Sequence, residues 1–293
     1  MKKKLKRVSQ FIFVLVICLL FSACNQGNGT INDSDDKKVY GGEILRYSLC
    51  LEENASQIVS CPIITSKEAK TISLNNYVSN QKEEISVSVS SIDLNESVAY
   101  KGYYIYFAIL TIKCNTYEKA VNASIEKLLF DIDNEIMEYN TPYFNIKNTC
   151  YYTENNIFLA EDNHIKISGD FTGLYNNIPN ESNKADLSIT SSEDIVLKSY
   201  SLIDYLKVES MEIDKEPFDS SELNFELKKS EEISFEYILS VNEHVNEDNI
   251  IRVSQIIVYE YEGKDYLWVY TSGIYVWKNY SNYGNIKRYI DTF

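Results

Sequence analysis

The residues best suited to contact a ligand are aromatic and lie near the C-terminus. Nine tyrosines and tryptophans fall within 25 residues, and they include both tryptophans of the chain: Tyr259, Tyr261, Tyr266, Trp268, Tyr270, Tyr275, Trp277, Tyr280 and Tyr283. Tyr266, Trp268 and Tyr270 alternate, so on a strand they share one face. Exposed rings on such a face could stack on the sugar rings of a glycan. Rings of this size are more often buried, and a hydrophobic core is the favoured alternative.

Acidic residues near position 133 resemble a calcium loop only in part. Asp131, Asp133 and Glu135 alternate, but the glycine required at the sixth position is missing. Pro142 stands where the bidentate glutamate of such a loop should be. We therefore expect these carboxylates to lie on a solvated strand face.

Signals for nucleophilic or metal-dependent catalysis are weak. Ser124 and Lys127 match S-x-x-K, yet the companion motifs S-D-N and K-T-G are absent. His164 and His244, the two histidines, lie in polar surroundings without triad or metal partners visible in the sequence. Because glycine-rich phosphate motifs are also missing, we expect no catalytic site, no metal and no cofactor.

The N-terminus reads as a secretory signal. Five positive charges precede an apolar run over residues 11–21, which is too short for a stable membrane span of about 20 residues. The sequence Phe21-Ser22-Ala23-Cys24 resembles the lipobox of bacterial lipoproteins, with Phe where that family usually has Leu. The resemblance implies that Cys24 receives a diacylglyceryl group and becomes the new N-terminus. We therefore expect a lipid anchor in the cell membrane, with the protein facing outside.

Four cysteines remain once Cys18 is removed with the signal and Cys24 carries the lipid: Cys50, Cys61, Cys114 and Cys150. An even number in an exported chain permits two disulfides with three connectivities. Locality favours pairing Cys50 with Cys61 and Cys114 with Cys150. Buried free thiols, which pack as small hydrophobes, are an equally good alternative. The spacings do not resemble C-x-x-C zinc or redox motifs.

The mature chain of 270 residues is strongly acidic. The signal holds five of the 28 basic residues and none of the 43 acidic ones, so the net charge changes from −15 to about −20 on processing. A field of that sign repels nucleic acid, and we exclude nucleic-acid binding. Composition also suggests an AT-rich genome, as in low-GC Gram-positive bacteria.

The chain is rich in residues that favour strands, with 24 Tyr, 12 Phe and only 10 Gly. Residues 24–38 are polar and predict a flexible tether. Residues 39–84 show possible strands at 43–49 and 58–64 but no clear architecture.

Ile85, Val87 and Val89 alternate on one strand face, and residues 103–114 form an apolar strand with both faces covered. Residues 117–139 fit an amphipathic helix by periodicity alone.

Internal similarity favours a hairpin over that helix. At shifts of 119, 128 and 129 residues, blocks near residues 91, 105 and 128 lie over similar blocks in the C-terminal half, which suggests two copies of one unit. The second copy predicts a hairpin of residues 256–261 and 266–271 with a loop at 262–265. The first copy then predicts a hairpin that turns at Asp133-Asn134.

The strand rhythm of each copy resembles an immunoglobulin-like β-sandwich. The resemblance implies a mainly β protein made of two tandem antiparallel sandwiches. We therefore divide the chain into a signal peptide (1–23), a tether (24–38), an unassigned segment (39–84) and two modules (85–190 and 191–293).

We expect a lipid-anchored surface protein with a binding, adhesion or spacer role. Its partner would be a cell-wall or host glycan or a protein. The alternative is a carbohydrate-binding or carbohydrate-active protein that uses Tyr266, Trp268, Tyr270, Tyr275 and Trp277.

Overall fold

Strands account for most of the residues that the computed structural model describes. It describes residues 39–94, 97–153, 157–159, 164–168, 183–202, 204–241, 249–276 and 284–293. For residues 168, 183–187, 209, 237–238, 241, 270–276 and 285 it describes the backbone only. The predicted signal peptide and the predicted tether therefore lie outside the described residues. None of the described helices combines the length and apolarity of a membrane span.

The N-terminal half contributes strands β1 to β12. They are β1 (Val39–Tyr40), β2 (Leu45–Leu51), β3 (Gln57–Thr65), β4 (Ile72–Ser79), β5 (Ile85–Ile92), β6 (Val98–Tyr100), β7 (Tyr103–Cys114), β8 (Asn122–Ile132), β9 (Glu135–Asn140), β10 (Phe144–Asn148), β11 (Phe158–Leu159) and β12 (Ile165–Ser168). A short 3-10 helix spans Gly42–Ile44, and helix α1 spans Cys150–Thr153.

The C-terminal half contributes strands β13 to β20 and one helix. They are β13 (Asn183–Ser191), β14 (Ile195–Leu202), β15 (Leu206–Ile213), β16 (Glu216–Phe218), β17 (Phe225–Leu227), β18 (Glu232–Val241), β19 (Ile250–Tyr261), β20 (Lys264–Val276) and α2 (Gly284–Ile290). The expectation of a mainly β, largely antiparallel fold is confirmed.

The described strands form three sheets. The first has the order β1-β3-β7-β5, with β6 also on β7. The second has the order β11-β20-β19-β2-β10-β8-β4, with β9, β14 and β17 attached along it. The third has the order β12-β13-β18-β15-β16. Most pairs are antiparallel, but β2 runs parallel to both β10 and β19, and β11 runs parallel to β20.

Both predicted hairpins are present. β8 and β9 are joined by Asp133 and Asn134, with φ of 53° and 68°, so residues 117–139 hold strands and not a helix. β19 and β20 are joined by Glu262 and Gly263, with φ of 50° and 74°. Positive φ at both central residues is typical of type I′ turns, which match the twist of the strands. The second loop is therefore two residues long, shorter than the four predicted.

Two large clusters of buried side chains form the core. Leu49 of β2, Leu110 of β7 and Phe130 of β8 share the first cluster, so the first sheet packs on one part of the second. Leu197 of β14 and Phe235 of β18 share the other cluster, so the third sheet packs on another part. Apolar faces of two sheets meet in this way because each sheet must remove one face from water.

The second sheet contains strands from every predicted segment after the tether. β2 belongs to the segment that the sequence left without an architecture, and it lies between β10 and β19. Those two neighbours come from opposite sides of the predicted boundary near residue 190. The tandem immunoglobulin-like division into 85–190 and 191–293 stays a prediction.

Candidate functional site

The turn end of the β19–β20 hairpin carries a group of aromatic side chains. Tyr259 and Tyr266 lie directly opposite each other on the two strands, and their rings stack with centroids 5.7 Å apart. Tyr261 and Phe158 extend this group, with ring centroids 6.4 Å and 6.1 Å from that of Tyr266. We call these four residues, together with His164, the hairpin aromatic cluster.

His164 is the polar centre of the cluster. Its Nδ1 lies 3.1 Å from the hydroxyl oxygen of Tyr259, and its ring centroid lies 4.4 Å from that of Tyr261. The backbone fixes the residue as well, because the His164 carbonyl accepts the N–H of Ser192 at 2.8 Å. The sequence shows only polar neighbours for His164, because its aromatic partners lie about 100 residues away in the chain.

Side-chain exposure in the hairpin aromatic cluster increases from Tyr259 on the inside to Phe158 at the rim. Tyr259 is fully buried, and burial raises the pKa of its hydroxyl to about 12. Tyr261 and Tyr266 are half-buried, whereas Phe158 is 50% exposed. The amine of Lys264 lies 5.6 Å from the centre of the Phe158 ring. The rim therefore presents flat apolar surface beside a cation and hydroxyl groups, a combination that suits a ring-shaped polar ligand.

Trp268 occupies a different position from the one expected of a ligand-contacting residue. It is 8% exposed and belongs to the core cluster beneath the third sheet. The row of alternating aromatics thus runs from the core at Trp268 to the partly exposed Tyr266. Tyr270 and Tyr275 lie on β20, but their side chains are outside the described residues, and so is all of Trp277.

The four described cysteines are free thiols. Cys50 of β2 and Cys61 of β3 are fully buried, in separate apolar clusters, and the disulfide pairing suggested by locality stays a prediction. Burial raises the pKa of both thiols well above the usual range. Cys114 and Cys150 are half-buried. Cys24 lies outside the described residues.

A second polar group surrounds Asp204, and nothing in the sequence pointed to it. Its carboxylate accepts a hydrogen bond from Ser48 Oγ at 2.6 Å and pairs with Lys147 Nζ at 2.9 Å. Ser48 on β2 and Asn145 on β10 are direct neighbours in the sheet, and Asn145 donates to the hydroxyl of Tyr205 at 2.9 Å. Ser48 is fully buried, so this group is better placed to hold strands together than to react with a substrate.

Comparison with known proteins assigns no family. No family model matches the chain, and no curated protein matches it. Matching structures include a protein of unknown function from Porphyromonas gingivalis W83 (10% identity, TM-score 0.22, covering 82% of this chain and 97% of the other). Another is the N-terminal periplasmic domain of ScsB from Proteus mirabilis (9% identity, TM-score 0.22, covering 78% and 91%). Values this low indicate neither a family nor an activity.

The motifs that resembled catalytic or metal sites serve structural contacts. The Asp133 carboxylate accepts the N–H groups of Lys70 and Thr71 at 2.9 and 2.8 Å, which lowers its pKa. Lys127 pairs with Glu138 across the β8–β9 hairpin at 2.6 Å. Within the described ranges, no group of three His, Cys, Asp or Glu residues is arranged to hold a metal ion.

Proposed function

We propose that this protein is exported, anchored to the cell membrane by a lipid on Cys24, and works at the surface in binding, adhesion or spacing. The observation that carries the proposal is the run of positive charges, apolar residues and Ser22-Ala23-Cys24 at the N-terminus. The polar tether and the acidic mature chain support it, because both keep a folded domain soluble and away from anionic lipid.

Lipidation is tested by comparing Cys24→Ala with Cys18→Ala in a Gram-positive host grown with a palmitate analogue. We expect the wild type and Cys18→Ala to incorporate the label and to partition into the detergent phase. Cys24→Ala should lose both properties, because only Cys24 follows the small residues of the cleavage site. Unlabelled wild-type protein released into the medium would contradict the anchor.

Glycan binding through the hairpin aromatic cluster is a second candidate, favoured by the exposed ring of Phe158 beside the half-buried Tyr261 and Tyr266. Stacking on one aromatic ring is worth about 0.5–1.5 kcal/mol. Phe158→Ala and Tyr261→Ala should therefore weaken retention on cell-wall glycan roughly two- to tenfold each. Tyr151→Ala, which removes an exposed tyrosine outside the cluster, is the matched control. Equal retention of all variants would exclude this surface.

A further inference from the structure

We propose that two copies of this chain associate through the open edges of β4 and β5, with β4 of each copy pairing with β5 of the other. This surface is separate from the hairpin aromatic cluster and from the N-terminal anchor. The two strands are sheet edges that lie together, their apolar side chains are incompletely covered, and neither strand carries a charge.

β4 and β5 are the edges of two packed sheets. Among the described strands, β4 pairs only with β8 and β5 only with β7, so one side of each backbone has no strand beside it. The chain passes from β4 to β5 through residues 80–84, and the Tyr77 hydroxyl donates to the Ile85 carbonyl at 2.7 Å. The end of β4 therefore lies beside the start of β5, and the two edges run in opposite directions.

A groove of about 520 Å³ lies between these two edges. Its lining comes from β4 and β5, and the apolar members are Ile72, Leu74, Tyr77, Val87, Val89 and Ile92. All six pack on the first core cluster, yet each is only half-buried. The core is therefore open along this side, and a partner that covers the groove would remove apolar surface from water.

Neither β4 nor β5 contains a charged residue. The other described edge strands of four residues or more, β9 and β12, contain glutamate and lysine respectively. A charged side chain on an edge strand opposes pairing with another chain, because pairing would take the charge out of water. In a chain this acidic, an uncharged strip is also where two copies meet with the least repulsion.

The two edges complement each other under two-fold symmetry. A two-fold axis parallel to the strands, placed beside the groove, exchanges the two sheet layers and keeps the strand directions. It therefore sets β4 of one copy antiparallel to β5 of the other, twice. Both strands are eight residues long, so neither extends far beyond its partner. A single added peptide strand would pair with one edge only, whereas a second copy pairs with both.

The size and irregularity of the edges predict a weak dimer. Two strands about 26 Å long in sheets about 10 Å apart give roughly 500 Å² per copy, the lower end for specific complexes. Pairing with the inner neighbours is irregular between Leu74 and Asn76 and between Val89 and Ser91, which limits pairing at the outer edges. We therefore expect a reversible dimer with a dissociation constant of roughly 10–100 µM.

The test is sedimentation of the full chain over concentrations that span this range, in a non-ionic detergent that keeps the apolar residues 11–21 in solution. Asn75 and Ser88 line the groove near the middle of each strand, and both are exposed, so their substitution spares the core. Asn75→Lys and Ser88→Glu should each raise the dissociation constant roughly tenfold or more, because each leaves a charge in the interface. Ser201→Lys, at an exposed position of β14 outside the groove, is the matched control and should leave the dimer unchanged.

Mixing two variants tests which strands pair. Asn75→Lys mixed with Ser88→Glu should form a mixed dimer tighter than either variant forms alone, because one edge gains an opposite-charge pair and the other keeps its original residues. Asn75→Lys mixed with Asn75→Glu should gain nothing, since β4 faces β5 and not another β4. A wild type that stays monomeric, a dimer that neither groove substitution weakens, or equal gains from the two mixtures would each overturn the proposal.

Discussion

Asp204 contacts polar side chains on two neighbouring strands, β2 and β10. Its carboxylate accepts a hydrogen bond from Ser48 on β2 and forms an ion pair with Lys147 on β10. The Lys147 side chain is only 12% exposed. Its own φ of 60° lies in the left-handed region, so neighbouring structure must hold it there. A partly buried amine that loses its carboxylate keeps the cost of leaving water without the attraction that offset it.

Asp204→Asn should therefore lower the free energy of unfolding by roughly 1–3 kcal/mol, as measured by urea denaturation. Glu226→Gln is the control, because it breaks an ion pair with Lys228 in which both side chains are more than 60% exposed. That change should cost less than about 0.5 kcal/mol. Equal effects of the two substitutions would show that burial of the Asp204–Lys147 pair is unimportant.

Gly263 and Gly42 both occupy positions where a larger residue is unfavourable, but the physical reason differs between them. Gly263, in the β19–β20 turn, has a φ of 74°, and a Cβ there would meet nothing within 4 Å. Gly42, in the 3-10 helix before β2, has a backbone suited to any residue, but a Cβ would clash with the Asn140 carbonyl. Substitution of Gly263 is therefore limited by its backbone conformation, and substitution of Gly42 by the space available for a side chain.

Gly263→Ala should lower the free energy of unfolding by roughly 1–2 kcal/mol, because an L-residue is strained in the left-handed region. Gly263→Asn should recover part of that loss, since asparagine tolerates this region. At Gly42 the order should reverse, with Asn more damaging than Ala because it is larger. Denaturation midpoints of the four variants test this, and an identical order at both glycines would contradict it.

At the scale of the whole molecule, β2 connects the two halves of the chain. It pairs in parallel with β10 over residues 144–148 and with β19 over residues 250–253. The described chain from β1 onwards also groups into one compact unit, Lys38–Phe293. Parallel pairs between strands so far apart in sequence form only once the chain has folded as a whole, which couples the halves energetically.

We therefore expect calorimetry to show one cooperative unfolding transition. Leu49→Ala, at a fully buried position on β2, should shift that entire transition and lower the free energy of unfolding by roughly 2–5 kcal/mol. Two transitions, only one of which responds to Leu49→Ala, would instead support two independent modules divided near residue 190.

Much of the local structure could be predicted because it depends on neighbouring residues. The alternation at Ile85, Val87 and Val89 correctly indicated β5 and its inward face, since all three pack on the first core cluster. The hairpin turn at Asp133-Asn134 was also correct, because both residue types accept positive φ. For the alternating aromatic residues Tyr266 and Trp268 of β20, the sequence showed that the side chains share one strand face. How far each side chain is exposed depends on what packs against that face.

The sequence by itself determined the mainly β composition, both hairpins and the acidic charge, and it predicts an export signal at the N-terminus. Each of these depends on composition or on residues within a few positions of each other. Only the tertiary structure decided that Trp268 is core, that His164 meets Tyr259 and Tyr261, and that Asp204 meets Ser48 and Lys147. Those contacts join residues separated by tens to hundreds of positions, and sheet order, which local periodicity does not encode, brings them together.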